Sequence, residues 1–129
     1  MGVAALVTWL VTAVGGFAML GIWLTRGGHR TGGDSRLAPG LLFSHAALAA
    51  AGLVVWIVYL IAGGDALAWV AFVLLLPVAL LGFTMFGRWL SSRHTTAVES
   101  RFPVTIVLGH GVLAATTLVL VLLTAAGVG

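Results

Sequence analysis

Histidine side chains are the groups in this sequence that could bind a metal or exchange protons inside apolar segments. His45 and His110 lie within long apolar stretches, whereas His29 and His94 lie in the polar segments that precede those stretches. The 129 residues include no Cys, which excludes disulfides, thiolate chemistry and Cys-type zinc sites. Neutral imidazole binds haem iron and divalent metals, and it exchanges protons near neutral pH. The four histidines are therefore the first candidates for functional residues.

The histidines form two pairs that correspond in an internal alignment of the chain. Residues 29–64 laid over 94–129, a shift of 65, give 11 identities in 36 positions and match both pairs. Residues 3–24 laid over 69–90, a shift of 66, give 10 identities in 22 positions. The most specific match is the run Gly-Phe-x-Met-x-Gly-x-Trp-Leu, which occurs once in each copy. The sequence therefore predicts a duplicated helical hairpin.

Membrane helices are the elements that must position these residues. Hydrophobic residues make up 61% of the chain and charged residues 7%, and the mean hydropathy is +1.21. These values exclude an ordinary soluble domain and a disordered chain. Four apolar stretches each have roughly the 20 residues that a helix needs to cross a bilayer. They cover residues 3–25, 41–62, 66–87 and 104–126.

The predicted fold class is all-α integral membrane, with one membrane domain over residues 1–129. Its four-transmembrane-helix bundle is built from two tandem helical-hairpin repeats, at about 3–64 and 69–129. Two spans in each repeat give both repeats the same orientation, which predicts pseudo-two-fold symmetry about the membrane normal. Pro39 and Pro103 stand just before the second and fourth spans, as prolines at helix starts do.

The positive charges predict the orientation of the bundle. All six basic side chains are Arg and lie in or beside the two long connectors, 26–40 and 88–103, whereas the opposite side carries Asp65. The positive-inside rule then predicts cytoplasmic connectors and both termini outside. Frequent Ala, Gly, Leu, Val and Arg without Lys indicate a high-GC bacterial genome, and the predicted location is the bacterial cytoplasmic (inner) membrane. A net charge of +3 on membrane loops favours lipid headgroups as partners over nucleic acid.

His45 and His110 are predicted to be the axial ligands of one haem b. They lie six and seven residues after the prolines that precede their spans, so both imidazoles are expected roughly 10 Å below the loop-side boundary. Symmetry would let them face each other across the bundle axis, where two neutral imidazoles suit haem iron. Small residues on the same helix faces, including Gly52 and Ala114, leave room for a flat macrocycle.

Four further residues complete the predicted haem site. Arg36 and Arg101 each lie nine residues before one of these histidines, near the headgroup level. They are predicted to bind the haem carboxylates, because guanidinium pairs with carboxylate bidentately. Gly21 and Gly87 are expected at a depth similar to that of the histidines, where they would let the backbone approach the ring.

The two other histidines, His29 and His94, are secondary candidates. They are either solvated side chains, or ligands with Asp34 and Glu99 of a second symmetric site for a divalent metal ion, or part of a docking surface for an electron donor. The acid-Ser pairs that begin at Asp34 and Glu99 are also typical of helix N-terminal caps.

Two aromatic and sulphur-containing pairs are interpreted structurally. Met19 and Met85 are expected to be core side chains that lie deeper than the histidines. Trp23 and Trp89 fit an aromatic belt at the membrane boundary.

In helix count and histidine placement the arrangement is similar to four-helix membrane b-type cytochromes, a resemblance of fold. We therefore predict an electron carrier or binding protein, rather than a stand-alone enzyme, that exchanges electrons with a quinone or a respiratory-complex subunit. The alternatives are a His-dependent proton or metal-ion transporter or sensor, and a non-catalytic assembly subunit of a larger membrane complex. A homo-oligomer is also compatible with four short helices. The spans contain no acidic residue, which disfavours a carboxylate-coupled exporter.

Overall fold

A computed structural model describes residues 1–128 of the chain, so Gly129, the last residue of the predicted second repeat, lies outside the described residues. The described part is helical and contains no strand. Its elements are α1 (Gly2–Thr25), α2 (Pro39–Ala62), α3 (Asp65–Ser92), a 3-10 helix (Val98–Arg101) and α4 (Val104–Ala125).

The four α-helices are long and apolar enough to cross a membrane, which supports a multi-pass membrane protein. Large hydrophobic side chains are exposed on every helix, for example Val14, Ile61, Phe83 and Val112. Exposed apolar surface of this extent needs lipid rather than water around it. The predicted all-α architecture of four spanning helices is therefore confirmed.

Three of the helices match the predicted spans to within two residues, but α3 continues five residues beyond the predicted end at 87. The hydroxyl groups of Ser91 and Ser92 donate to the carbonyls of Arg88 and Trp89, 2.9 Å away in both cases, within the last turn. A span predicted from hydropathy ends at the first charged residue, here Arg88. The helix itself continues as long as its backbone hydrogen bonds do. The helix also runs without interruption through Pro77.

The prediction that the acid-Ser pairs cap α2 and α4 is wrong. Ala38 and Pro103 occupy the N-cap positions, and neither helix has a side-chain cap hydrogen bond. Pro39 begins α2, where its missing N–H would have had no helical partner. The acid-Ser pairs lie too early in the chain to reach these helix ends.

The helices pack in the cyclic order α1, α4, α3, α2. The α1–α4 and α2–α3 pairs have the most extensive contacts, α3–α4 has fewer, and α1–α2 has the fewest. Gly63 and Gly64 join α2 to α3 in a tight turn with φ of 75° and 100°, a region that favours glycine. We call this end, which also carries the start of α1 and the end of α4, the turn end. The other end, with residues 26–38 and 93–103, is the loop end.

Two hydrophobic clusters fill the bundle. The turn-end cluster is centred on two buried indoles, Trp9 and Trp56, and extends along α3 to Val78. The loop-end cluster contains the buried side chains of Trp23, Leu37, Leu42, Trp89, Phe102 and Val107. Loop residues thus contribute to the second cluster and cover that end of the helices.

Candidate histidine site

The structure brings His45 and His110 together inside the bundle. They project from α2 and α4, which lie diagonally opposite each other. The centroids of their rings are 6.4 Å apart and the ring planes are inclined by 55°. Both side chains are half-buried. The pair therefore spans the bundle axis, as the equal depth of the two histidines predicts.

A backbone carbonyl fixes the orientation of each imidazole. His45 Nδ1 lies 3.0 Å from the carbonyl oxygen of Val78 on α3, and His110 Nδ1 lies 2.8 Å from that of Thr12 on α1. A carbonyl oxygen only accepts, so each Nδ1 carries the proton and donates. Each Nε2 then keeps its lone pair, which is the state required of a metal ligand.

Two glycines allow these rings to lie against the neighbouring helices. A Cβ atom at Gly16 would be 3.2 Å from Cε1 of His110, and one at Gly82 would be 3.3 Å from Cε1 of His45. Both distances are tighter than ordinary van der Waals contact. A side chain at either position would therefore push the imidazole away.

The glycines predicted to serve the site lie elsewhere. Gly21 and Gly87 have no atom within 4 Å of a Cβ built on them, and they lie five residues nearer the loop end than the glycines that contact the histidines. The space beside Gly52 is also taken, because a Cβ there would be 3.1 Å from the indole ring of Trp9. The free room expected on the turn-end side of His45 is therefore already filled by protein.

The histidines lie in a layer that separates the two hydrophobic clusters. On α3, Val78 belongs to the turn-end cluster and Met85 packs against the loop-end cluster, with Gly82 between them. The two residues are seven positions apart, which is about 10 Å along a helix. The apolar core is thus interrupted at the level of the imidazoles.

The methionine and tryptophan pairs differ from their predicted positions. Met19 and Met85 pack in the loop-end cluster, so they are core side chains but lie on the loop side of the histidines rather than deeper. Trp23 is fully buried and Trp89 is 3% exposed, so neither forms an exposed aromatic belt. The reason is that the connectors fold over the helix ends and cover both indoles.

A polar network that sequence analysis missed crosses the loop end. Trp23 Nε1 donates to Ser35 Oγ over 2.9 Å, and Ser35 Oγ donates to Glu99 Oε2 over 3.0 Å. The other carboxylate oxygen of Glu99 accepts from the backbone N–H of Arg36 at 2.6 Å. Glu99 is fully buried. The first connector and the 3-10 helix of the second are thereby joined through one carboxylate.

The residues that align with Trp23, Ser35 and Glu99 do not form a second network of this kind. Trp89 Nε1 is buried and has no hydrogen-bond partner among residues 1–128. Ser100 Oγ instead donates to the carbonyl of Ala97 at 2.6 Å. Asp34, which aligns with Glu99, is exposed and accepts a hydrogen bond from the hydroxyl of Thr96.

The two arginines predicted to bind haem carboxylates are exposed at the loop end. Arg36 Nη1 donates to the carbonyl of Ser91 at 3.1 Å, which ties the start of α2 to the end of α3. Arg101 ends the 3-10 helix. Neither contact places a guanidinium group at the imidazoles, and the carboxylate role of both residues stays a prediction.

The four residues of the predicted second metal site are not assembled. His29 and His94 are exposed, and the His29 ring centroid is 6.1 Å from that of Trp23. Glu99 points inward to Ser35 instead of towards the histidines. Within residues 1–128 there is no group of three or more His, Asp or Glu side chains that could hold a metal ion.

No protein-family model, curated protein or solved structure matches this chain. The site therefore consists of two imidazole rings with centroids 6.4 Å apart, each of which donates from Nδ1 and keeps the lone pair on Nε2. Two such imidazoles can ligate one metal.

Proposed function

We propose that this protein is a small membrane b-type cytochrome in which His45 and His110 are the axial ligands of one haem. The separation of 6.4 Å between the ring centroids carries the proposal. With metal–nitrogen bonds of about 2.0 Å, two imidazoles that ligate one metal from opposite sides have ring centres roughly 6 Å apart. The observed separation fits a single metal centre between the rings.

The fixed tautomers and the interrupted core give further support. Both imidazoles already donate from Nδ1, an arrangement that orients a metal-bound histidine and raises its basicity. A small apolar layer with two polar anchors is also how helical bundles hold cofactors. Ordering the ligands before haem binds reduces the entropy that binding must overcome.

The proposal includes a duplicated hairpin with pseudo-two-fold symmetry about the membrane normal. Each histidine bonds to a carbonyl, and lies against a glycine, of the first helix of the other repeat, at positions that correspond in the internal alignment. The two most extensive helix pairs, α1–α4 and α2–α3, are also the pairs that such a rotation would exchange. These matched contacts support a site built from both repeats.

A haem with both axial positions filled supplies one-electron transfer rather than oxygen binding. The protein's part is to hold the iron and to exclude water with the clusters above and below it. A quinone or a respiratory-complex subunit remains the proposed redox partner. We also propose the cytoplasmic placement of the loop end in a bacterial inner membrane, on the distribution of arginine.

The test is an absorption spectrum of the purified protein before and after dithionite, after expression with added haem. We expect a Soret band and sharp reduced α and β bands. His45→Ala and His110→Ala should each lose these bands, because a single imidazole cannot fill both axial positions. His29→Ala and His94→Ala are the matched controls and should keep full pigment.

Full pigment in either the His45→Ala or the His110→Ala variant would contradict the proposal. A colourless protein without any substitution would also contradict it. A colourless protein would leave the same two histidines as candidates for proton or metal-ion transport. Proton-flux and metal-binding assays on the two alanine variants would then decide between those alternatives.

A further inference from the structure

Two arginine side chains cross at the corner of the bundle where the start of α2 meets the end of α3. Arg88 Nη1 donates to the backbone carbonyl of Arg36 at 3.0 Å. Arg36 Nη1 donates to the backbone carbonyl of Ser91 at 3.1 Å. Because Ser91 lies one turn after Arg88, the two bonds hold both guanidinium groups at the same corner.

The corner carries two guanidinium groups, and both donate to backbone carbonyls, which are neutral. A guanidinium group has five N–H donors, and the recorded bonds use one nitrogen of each group. Both arginines are exposed. The carboxylate of Glu99 lies nearby, but it is buried and its oxygens accept from Ser35 and from the backbone of Arg36. An external anion would therefore find unused donors in a fixed arrangement.

We propose that Arg36 and Arg88 bind the phosphate of an anionic phospholipid headgroup. Arg88 follows more than 20 mostly apolar residues of α3 and lies at the loop end, where headgroups meet a spanning helix. Basic sites between membrane helices on the positively charged side select anionic headgroups, and two guanidinium groups suit one phosphate. The proposal does not require haem, but it assigns Arg36 to a lipid phosphate instead of a haem carboxylate.

The internal alignment predicts one such site per chain. Arg101 corresponds to Arg36 under the shift of 65, but Ile22 occupies the position that corresponds to Arg88 under the shift of 66. The equivalent corner, where the start of α4 meets the end of α1, therefore has no counterpart of Arg88. We expect one tightly retained anionic lipid per chain.

The experiment measures the thermal unfolding midpoint of the full chain in a neutral detergent, with added phosphatidylglycerol or phosphatidylcholine. Phosphatidylglycerol should raise the midpoint more than phosphatidylcholine does. Arg36→Gln and Arg88→Gln should each weaken the apparent affinity for phosphatidylglycerol about fivefold. Arg26→Gln is the matched control, since Arg26 is an exposed arginine at the end of α1, and it should keep the response. Native mass spectrometry should show one retained phosphatidylglycerol.

The result differs if Arg36 and Arg88 only stabilise the contact between α2 and α3 and bind no lipid. In that case the Gln variants lower the midpoint equally with both lipids, and the extra shift from phosphatidylglycerol is unchanged, which overturns the proposal. Inorganic phosphate that reproduces the whole shift overturns the lipid as the source of the anion. Loss of the shift on haem loading would also contradict it, because Arg36 would then hold a haem carboxylate.

Arg88→Lys keeps the test decisive if a Gln variant fails to fold. Lysine retains the charge but lacks the planar fork of donors. We expect an affinity for phosphatidylglycerol between those of the unchanged protein and Arg88→Gln. An affinity equal to that of the unchanged protein would contradict the role of the guanidinium group.

Discussion

The histidine layer and the loop end of this bundle differ in how far the two hairpins correspond. In the layer, the histidine–carbonyl distances are 3.0 and 2.8 Å, and the distances from the two glycine positions to the imidazoles are 3.3 and 3.2 Å. At the loop end, Trp23 donates to Ser35, whereas Trp89 has no acceptor. Corresponding residues therefore make corresponding contacts in one region and different contacts in the other.

The histidine layer therefore constrains its aligned residues more tightly than the loop end does. The two imidazole rings lie 6.4 Å apart, and each is held by a carbonyl and a glycine of a neighbouring helix, so a shift of either helix changes the geometry of the pair. The connectors join helices and cover their ends, and the alignment shift changes by one residue between the first helix of each copy and the connector that follows it. One acid, Glu99, can then be buried between the loops while its counterpart Asp34 stays exposed.

The largest stability effect expected from this comparison is that of Glu99→Ala. The substitution removes the acceptor of the backbone N–H of Arg36 and the shorter of the two acceptors of the Ser35 hydroxyl, which keeps only the carbonyl of Leu37 at 3.4 Å. Hydrogen bonds to charged groups contribute about 1.5–3 kcal/mol each, so we expect the free energy of unfolding to fall by about 3 kcal/mol. Denaturant unfolding in mixed micelles measures the change.

Asp34→Ala is the matched control for that prediction, because Asp34 aligns with Glu99 but is exposed. We expect it to cost about 0.5–1 kcal/mol, for the lost bond from Thr96. Equal losses of unfolding free energy in the two variants would show that burial of Glu99 adds nothing to its contribution. That result would contradict the difference between the two acids.

A smaller effect is expected when a methyl group is added beside each imidazole. Gly16→Ala and Gly82→Ala place a Cβ atom 3.2 and 3.3 Å from the Cε1 atoms, so each ring must move by a few tenths of an ångström. If haem lies between the rings, both variants should retain it about tenfold less tightly, a loss of about 1.4 kcal/mol. Haem transfer to an excess of an apo-protein acceptor measures the loss.

Gly21→Ala and Gly87→Ala provide the control, since both positions face open space. They should leave haem retention unchanged. A large loss of haem retention in only one of Gly16→Ala and Gly82→Ala would contradict the equivalence of the two hairpins at the histidine layer.

The smallest expected effect comes from removing the indole N–H groups. Trp23→Phe loses the bond to Ser35, whereas Trp89→Phe removes a buried donor that has no acceptor. Both variants lose similar apolar volume, so Trp23→Phe should cost about 1 kcal/mol more in the free energy of unfolding. Equal costs for the two variants would mean that the acceptor contributes nothing measurable.

The number of helices and most of their bounds could be predicted, because hydropathy and proline act through neighbouring residues. Pro39 begins α2 and Pro103 immediately precedes α4, as expected. The end of α3 could not be placed, because its helix continues through Arg88, where the apolar stretch stops. The nearness of His45 and His110 was also predictable, since spacings of six and seven residues from two prolines place both at nearly the same depth.

Sequence by itself determined the spans, the segregation of the arginines and the pairing of equivalent histidines, all of which depend on residue type and distance along the chain. Only the tertiary structure decided which glycines face the imidazoles, since that depends on the rotation of each helix against its neighbours. It also decided that Glu99 is buried and that Arg36 meets Arg88. Those contacts join residues more than 50 positions apart, and such contacts form only when packing brings distant segments together.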